Sequence, residues 1–164
     1  MAEEGGAPSG PLLRAVNRIA DAIAEEFPRV VVSTLAYEYS RRPPTLTRPR
    51  RNVAIRLCDI DADFAQPMSH PRNAKFALDI NSWHNATEQA HLHVWSYAVN
   101  FGSYLQPFPN YAVLGENIRW FAERGVTGVF MEGAPAQPGH VYSDLQELKN
   151  YVMAQMLVRI CSVF

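Results

Sequence analysis

The stretch from Val30 to Tyr37, VVVSTLAY, opens with three valines and predicts a strand that is buried on both faces. Such strands are typical of parallel sheets, because helices cover both sides of them. Apolar residues at helical spacing come just before it, and Pro28 ends that helix: Leu12, Val16, Ile19, Ala20, Ile23 and Phe27. This part of the chain therefore predicts a helix that leads into a strand of a parallel sheet.

The alternation of strands and helices continues towards the C-terminus. NVAIRLC (52–58), a segment that starts near His91, and GVTGVFME (125–132) predict three more strands. Helices are predicted over about 73–86, along 114–122, and from Ser143, which matches a capping box with Gln146. This order predicts the α/β class, in which right-handed crossovers bring the carboxyl ends of the strands to one edge of the sheet.

The predicted loops differ in length on the two edges of the sheet. The segments that follow the strands are long, at 37–51, 59–72, 97–110 and 132–142, whereas the returns at 88–90 and 124–125 are short. This asymmetry resembles a (β/α)8 TIM barrel, whose elaborated loops lie on its catalytic face. A complete barrel needs about 250 residues, so four strands make half of one. We predict a flexible N-terminus at 1–8 and a single α/β domain at 9–164, which is a partial TIM barrel or else an open sheet.

The composition fits one soluble domain and excludes several classes of partner. The chain has 164 residues, 48% of them hydrophobic, and a formal net charge of −1, so neither nucleic acid nor an anionic membrane is an expected partner. Cys58 and Cys161 lie too far apart in sequence to indicate a zinc site or a disulfide framework. The N-terminus matches no signal or transit peptide, and no apolar run is long enough to span a bilayer. The compartment stays open, with the cytoplasm as the default, and we expect no cofactor.

The segment His91–Asn110, HLHVWSYAVNFGSYLQPFPN, carries aromatic residues among serines, asparagines and glutamine at the end of a strand. Ring faces cover the C–H surfaces of sugars, and amides and hydroxyls bind sugar hydroxyls, so this pattern is typical of a carbohydrate site. Aromatic residues at a strand end are also common in a core. The candidates for a carbohydrate cleft are Tyr37, Tyr39, Trp95, Tyr97 and Asn100.

Several longer segments occur in the order seen in one protein family: EEGGAPSGPLLRAVN, LAYEYSRRPPTLTRPRRNVAIRLCDID, HVWSYAVNFGSYLQPFPN and ENIRWFAERGVTGVFMEGA. They resemble the domain of unknown function 4838. The resemblance implies a glycoside-hydrolase-like barrel and a carbohydrate-active protein. It covers about residues 3–157 but matches the later part of the family's barrel, so the four strands would be its fifth to eighth.

Two positions depart from the family pattern. The tryptophan strand of the family commonly reads W-D-Y, and here it is Trp95-Ser96-Tyr97. The last strand commonly ends F-E-Q-G, and here it ends Phe130-Met131-Glu132-Gly133. A shift of one place on a strand turns a side chain to the opposite face of the sheet, so a role carried over from the family is in doubt at both positions.

Hydrolysis of a glycosidic bond usually needs two carboxyl groups about 5–10 Å apart, one as general acid and one as base or nucleophile. Five acidic residues lie at predicted strand ends, and they are Glu38, Asp59, Asp61, Asp63 and Glu132. We take Glu132, Asp59 and Asp61 as the catalytic candidates. Asp59 and Asp61 are two places apart after a strand, which predicts that both point to the same face.

Three other patterns are weaker. The run DIDAD (59–63) imitates a calcium loop, but Phe64 and His70 stand where glycine and glutamate are required. His91 and His93 could chelate a metal, yet they lie at the start of their strand, away from the expected ligand edge. The basic loop with five arginines could hold an anion, although a solvated loop is the simpler interpretation: Arg41, Arg42, Arg48, Arg50 and Arg51.

These observations favour a carbohydrate-active, glycoside-hydrolase-like domain, as an incomplete or degenerate copy that keeps a sugar-binding face. The competing hypothesis is a non-catalytic interaction module that uses exposed aromatics and strand edges. Half a barrel leaves two strand edges without partners, so we also expect a homo-oligomer or a partner that supplies the missing half barrel.

Overall fold

The computed structural model describes residues 4, 6–87, 90–134 and 143–161, with side chains up to residue 158. Within these residues, strands and helices alternate along the chain. The strands are β1 (Val32–Ala36), β2 (Val53–Cys58), β3 (His91–Tyr97) and β4 (Val126–Glu132). The α-helices are α1 (Ser9–Ile23), α2 (Ala74–Ala86), α3 (Leu114–Ala122) and α4 (Gln146–Cys161). Short 3-10 helices lie at Glu38–Ser40 and Pro71–Asn73.

The four strands form one parallel sheet in the order β1-β2-β3-β4. The register pairs Leu35 with Arg56, Arg56 with His93, and Trp95 with both Cys58 and Phe130. Neighbours in the sheet are therefore neighbours in sequence, as they are in a (β/α)8 barrel. The sheet does not close. The predicted α/β class with four parallel strands is confirmed, and the open sheet is consistent with part of a barrel.

The hydrophobic core lies on one face of this sheet. Helices α1, α2 and α3 all contribute to it, through residues such as Leu13, Trp83 and Phe121. The strands contribute alternate residues to the same core: Val53, Ile55 and Leu57 from β2, and Leu92 and Val94 from β3. Because side chains alternate across a strand, the residues between these point to the other side of the sheet. No described helix contributes to a core on that second side.

We call this second side the open face. It carries Leu35, Tyr37, Arg56, Cys58, His93, Trp95, Tyr97, Phe130 and Glu132.

The prediction that β1 is buried on both faces is wrong. Ser33 and Leu35 are exposed, Leu35 by 42%, while Val32 and Thr34, which alternate with them along the strand, are partly covered. The valines misled the prediction because a β-branched run indicates a strand without telling how many of its faces are covered. Here β1 is at the edge of an open sheet, and α1 covers one of its sides.

The last helix is anchored to the carboxyl edge of the sheet. It packs on α3 and β4 through Met153, which is buried with Ala98 and Leu114. The backbone N–H of Ser143 donates to Oε1 of Gln146 at 3.0 Å, which is one half of the predicted capping box. The α-helix itself begins at Gln146, three residues after the predicted start. None of the described helices combines the length and apolar character needed to cross a bilayer.

The N-terminal segment has contacts with the rest of the domain. Glu4 and Ala7 are buried, and the Glu4 carboxylate accepts hydrogen bonds from the backbone N–H groups of Leu46 and Thr47. A further bond from the Thr47 hydroxyl is the main cause that lowers the pKa of Glu4 to about 2. The flexibility predicted for residues 1–8 stays a prediction.

Gly125 lies in the turn between α3 and β4, and it gives the first testable effect on stability. Its φ of 74° is in the left-handed region, and a Cβ placed on it would lie 2.6 Å from Nδ1 of His84. We expect Gly125→Ala to lower the free energy of unfolding by about 1–2 kcal/mol, because a side chain is strained in that conformation. Urea denaturation measures this.

Gly133→Ala is the matched control. Gly133 has no positive φ, and nothing lies within 4 Å of its added Cβ, so the change should stay within about 0.5 kcal/mol. Equal losses in the two variants would contradict the account of Gly125.

Candidate functional site

The open face reaches the carboxyl edge of the sheet through Tyr97 and Glu132, which are paired at the ends of β3 and β4. Parallel strands bring their carboxyl ends and the loops after them together at this edge. Two of the sequence candidates, Trp95 and Glu132, meet directly here. Nε1 of Trp95 donates to Oε2 of Glu132 at 2.7 Å. This bond fixes the direction of the carboxylate and the plane of the indole ring relative to each other.

Trp95 lies between an aromatic ring and a cation. The Phe130 ring is 4.4 Å from the Trp95 ring, centroid to centroid, with 56° between their planes. The guanidinium carbon of Arg56 is 5.6 Å from the centroid of the indole ring. Phe130 is 44% exposed, so the Trp95–Phe130 pair forms a broad apolar surface in contact with solvent. That surface has a carboxylate on one side and a guanidinium on the other.

Asp59 is on the other side of the sheet. It is fully buried, at 0% exposure, and follows the core-facing residues Ile55 and Leu57 of β2. Neither carboxyl oxygen makes a hydrogen bond of good geometry with the described residues. Burial raises the pKa of Asp59 to about 7, although the nearby Ser96 hydroxyl and the charge of Arg41 act in the opposite direction. A ligand on the open face does not reach this group.

Asp61 points away from Asp59, so the prediction that the two share a face is wrong. The side chain of Asp61 is 56% exposed and accepts from Nη1 of Arg41 at 2.6 Å and from Nζ of Lys75 at 3.3 Å. Strand geometry ends at Cys58, and a turn closes directly afterwards through the bond from the Ala62 N–H to the Asp59 carbonyl. The two-residue period of a strand does not extend into a turn.

Glu132 is therefore the one catalytic candidate of the three that lies on the open face. A two-carboxyl mechanism needs a second acid that flanks the same glycosidic bond, about 5–10 Å from the first, and Asp59 and Asp61 do not supply it in this arrangement. The described part of the chain brings the aromatic candidates together with Glu132, but it separates the acids from one another.

The remaining sugar-binding candidates have different surroundings. Tyr97 is buried, with edge contacts to Phe64 at 6.2 Å and Phe101 at 5.8 Å between ring centroids, and its burial raises its pKa. Tyr37 is half-buried, and its pKa is also raised, mainly by burial and next by the charge of Glu38. Tyr97 thus packs between Phe64 and the loop at 98–113, which we call the aromatic loop, and it presents little of its ring to a ligand.

Tyr39 and Asn100 lie in the loops at this edge. Tyr39 is 70% exposed on the 3-10 helix after β1. The amide of Asn100 is used within its own loop, since Oδ1 accepts from the Gly102 N–H and Nδ2 donates to Oε1 of Gln106, both at 2.9 Å. A sugar hydroxyl could bind Asn100 if it replaced one of these two exposed bonds.

Three residues that the sequence hypothesis left out belong to the surroundings of this site. Arg56 and Phe130 flank Trp95 on the open face, and Ser96 is buried beside Asp59. Arg56 had a signal in the sequence, because a charged residue inside the apolar strand NVAIRLC is unusual for a buried strand. Phe130 could have been found from its position two places before Glu132, which puts both on one face.

The histidines on the open face lie far from the carboxyl edge. The His91 and His93 rings are 6.2 Å apart between centroids, and His93 faces Gly128, whose added Cβ would lie 2.9 Å from the His93 ring. Over the residues that the structure describes, no group of three His, Cys, Asp or Glu side chains is arranged to hold a metal ion.

Comparison with known proteins supplies the family. No curated protein and no solved structure gave a significant match to the chain. The sequence matches the profile of a family described as Domain of unknown function (DUF4838) over residues 1–159, which is nearly its whole length. The chain therefore belongs to the DUF4838 family of domains of unknown function.

Proposed function

We propose that this chain is a carbohydrate-active, glycoside-hydrolase-like domain, the later half of a TIM-type barrel, and that its function is to bind a saccharide on the open face. The bond between Trp95 and Glu132 carries this proposal, because it joins an aromatic surface to a fixed carboxylate. Apolar ring faces cover the C–H groups of a sugar ring, and a carboxylate accepts hydrogen bonds from its hydroxyls.

Two features of the fold support the barrel hypothesis. The strands follow one another in sequence order, and the helices cover one face of the sheet. In a (β/α)8 barrel the uncovered face lines the interior, and ligands bind at its carboxyl edge. Trp95 and Glu132 lie on that face, towards that edge.

We place binding ahead of hydrolysis because neither Asp59 nor Asp61 joins Glu132 on the open face. Glu38 interacts with the Tyr37 hydroxyl at the end of β1, which is three strands away from Glu132 across the sheet. The position of Glu132 next to Trp95 suits its carboxylate to accept hydrogen bonds from sugar hydroxyl groups. Hydrolysis would need a second carboxyl group from elsewhere, such as a partner that completes the barrel.

Binding to an array of neutral and acidic oligosaccharides tests the proposal. We expect Trp95→Ala to weaken the binding of each bound saccharide about tenfold or more, because the apolar surface is lost. Trp120→Phe is the matched control, since Trp120 is buried on the helix side and does not contact the open face. Unchanged binding in Trp95→Ala, with an unchanged circular dichroism spectrum, would rule out the open face as the sugar site.

Hydrolysis is tested separately with aryl glycosides and aryl glucuronides. We expect no turnover by the wild-type chain, and none by Glu132→Gln, which keeps the size of the side chain. Turnover that Glu132→Gln abolishes would show that the domain is an enzyme and that Glu132 is a catalytic residue.

A second candidate function is an interaction module, and one observation favours it. Leu35 and Phe130 are large, half-exposed apolar residues on the two edge strands, β1 and β4. Exposed strand edges beside apolar side chains promote pairing with another chain. A mass that rises with concentration in sedimentation, together with no saccharide binding, would favour this function over the first.

A further inference from the structure

Arg56 is at the centre of the open face and has no counter-ion among the described residues. It is paired in register with Leu35 on β1 and with His93 on β3, and neither is an acid. Its Nε atom is buried and makes no hydrogen bond within the part of the chain that the structure describes. Its guanidinium carbon lies 5.6 Å from the centre of the Trp95 ring. Its charge lowers the pKa of His93, after the larger effect of burial, and opposes the burial that raises the pKa of Cys58 to about 11.

Other arginines that are partly withdrawn from solvent have acidic neighbours. Arg41 binds Asp61 and Asp79, and Arg124 lies 4.0 Å from Glu123. A guanidinium that has lost part of its water without gaining an acceptor is unfavourable, and an incoming anion relieves that cost. Arg56 therefore differs from them in having no acidic acceptor among the described residues.

The shape of the guanidinium selects the kind of anion. Its planar donors match an anion that offers two oxygens, such as a carboxylate or a phosphate, through two parallel hydrogen bonds. Glu132 does not fill this role, since it is four register positions further along the face and bonded to Trp95. The open face thus has a cation and an anion at opposite ends of the Trp95–Phe130 surface.

The distances along the strands fit one sugar ring. Arg56 is level with His93, and Trp95 is two residues further along β3, which is about 6.6 Å at the usual rise of a strand. A ring that covers Trp95 and Phe130 can direct a carboxylate attached to it towards Arg56 and its hydroxyls towards Glu132. The opposite orientation would put two carboxylates together, so the charges determine the direction of binding.

We propose that the open face recognises acidic saccharides, with the carboxylate of a uronate residue bound to Arg56 and the sugar ring lying on Trp95 and Phe130. This inference rests on the proposed saccharide binding and names the class of saccharide that is bound. Arg56 is a binding residue that gives selectivity, whereas Trp95 contributes to the binding of any saccharide.

Isothermal titration with three matched ligands tests this assignment: a uronate-containing oligosaccharide, the same backbone with its carboxyl groups reduced to alcohols, and the reduced backbone carrying a sulfate ester. We expect the wild-type chain to bind the uronate at least about tenfold more tightly than the reduced ligand. Arg56→Gln should make the affinities for the uronate and for the reduced ligand similar. Arg56→Lys should restore part of the difference between them. Trp95→Phe should weaken both ligands in similar proportion.

Arg51→Gln is the control for a general effect of positive charge, because Arg51 is exposed in the basic loop before β2. It should leave the ratio of the two affinities unchanged. Each variant is first compared with wild type by circular dichroism and thermal unfolding, and Arg56→Lys provides a charged variant if Arg56→Gln does not fold.

The outcomes separate this inference from the proposed function. If the wild-type chain binds no saccharide, both fail. If it binds the uronate and the reduced ligand equally, or if Arg56→Gln keeps the preference, saccharide binding stands and the role of Arg56 is overturned. Binding of the sulfate ester as tightly as the uronate would also overturn selection for a carboxylate.

Discussion

Replacing Asp59 with asparagine is expected to stabilise the protein, and the gain should grow from near zero at pH 4 to about 4 kcal/mol at pH 8. Asp59 is fully buried, and its carboxyl oxygens make no good hydrogen bonds with the described residues. An ionised carboxylate is costly in such a place. Burial accordingly raises the pKa of Asp59 to about 7, against the smaller opposing influences of Ser96 and Arg41.

The direction in which stability changes with pH follows from the binding of one proton by Asp59. Asp59 is protonated in both states below about pH 4, where its contribution to stability is at its full value. As the pH rises from about 4 to 7, the unfolded chain releases the proton while the folded chain keeps it. The free energy of unfolding then falls by about 1.4 kcal/mol per pH unit, and it stops falling above the folded pKa. Asparagine has no proton to release, so Asp59→Asn avoids this loss.

Urea unfolding of wild type and Asp59→Asn at several pH values from 4 to 8 measures the effect. The difference between the two proteins matters, because other acids also titrate in this range. Asp21→Asn is the control, since the side chains of Asp21 and its partner Arg50 are both more than half exposed, so its change should stay below about 1 kcal/mol. A difference between wild type and Asp59→Asn that does not vary with pH would contradict the assignment of a neutral, buried Asp59.

Replacing Lys149 with methionine is expected to lower the free energy of unfolding by about 3 kcal/mol, at the low end for one partner of a buried ion pair. Lys149 is 2% exposed, and its Nζ lies 3.2 Å from Oδ2 of Asp144. It also donates to the Ala98 carbonyl at 3.3 Å and lies 4.6 Å from the centre of the Tyr111 ring. Methionine fills a similar volume but takes the donor away from the Ala98 carbonyl and the counter-ion away from Asp144, which keeps its hydrogen bond from the Tyr111 hydroxyl.

This loss should be concentrated at the carboxyl edge of the sheet. Lys149 joins α4 to the end of β3, and Phe108 of the aromatic loop also faces its ammonium group at 5.8 Å. Besides the shift in urea midpoint, limited proteolysis should cut the loop at 98–113 sooner in Lys149→Met. Cleavage at an unchanged rate in this loop would show that Lys149 does not hold it.

Lys75→Met is the matched control for Lys149→Met. Lys75 lies 3.3 Å from Asp61, but its side chain is 74% exposed. Exposed ion pairs contribute about 0–1 kcal/mol, so this variant should be close to wild type. Similar losses in the two variants would mean that burial does not distinguish these pairs.

The sequence predicted the elements of the fold well, for local reasons. Apolar patterns placed all four strands and most helix ends within a few residues. Parallel order followed from the alternation of strands with helices. The prediction about the faces of β1 was wrong, because the covering of a strand depends on what packs against it.

The candidate site was predictable in part. Trp95 and Glu132 were chosen from different segments, and the register of β3 and β4 brings them together. Asp59 and Asp61 looked equivalent in sequence, but the turn after Cys58 buries one and exposes the other. The importance of Arg56 depends on the absence of an acid near it in the described structure, which its own segment does not reveal.

The sequence by itself determined the α/β class, the order of the elements, and the loops that carry aromatic and acidic residues. These depend on periodicity and on glycine and proline, which act over a few neighbouring residues. The tertiary structure decided which face of the sheet is open, that Asp59 is enclosed, and that Arg56, Trp95 and Glu132 form one row. The burial of a residue and the identity of its partners depend on packing between segments that are far apart in sequence. They are therefore determined only when the strands are aligned in the sheet.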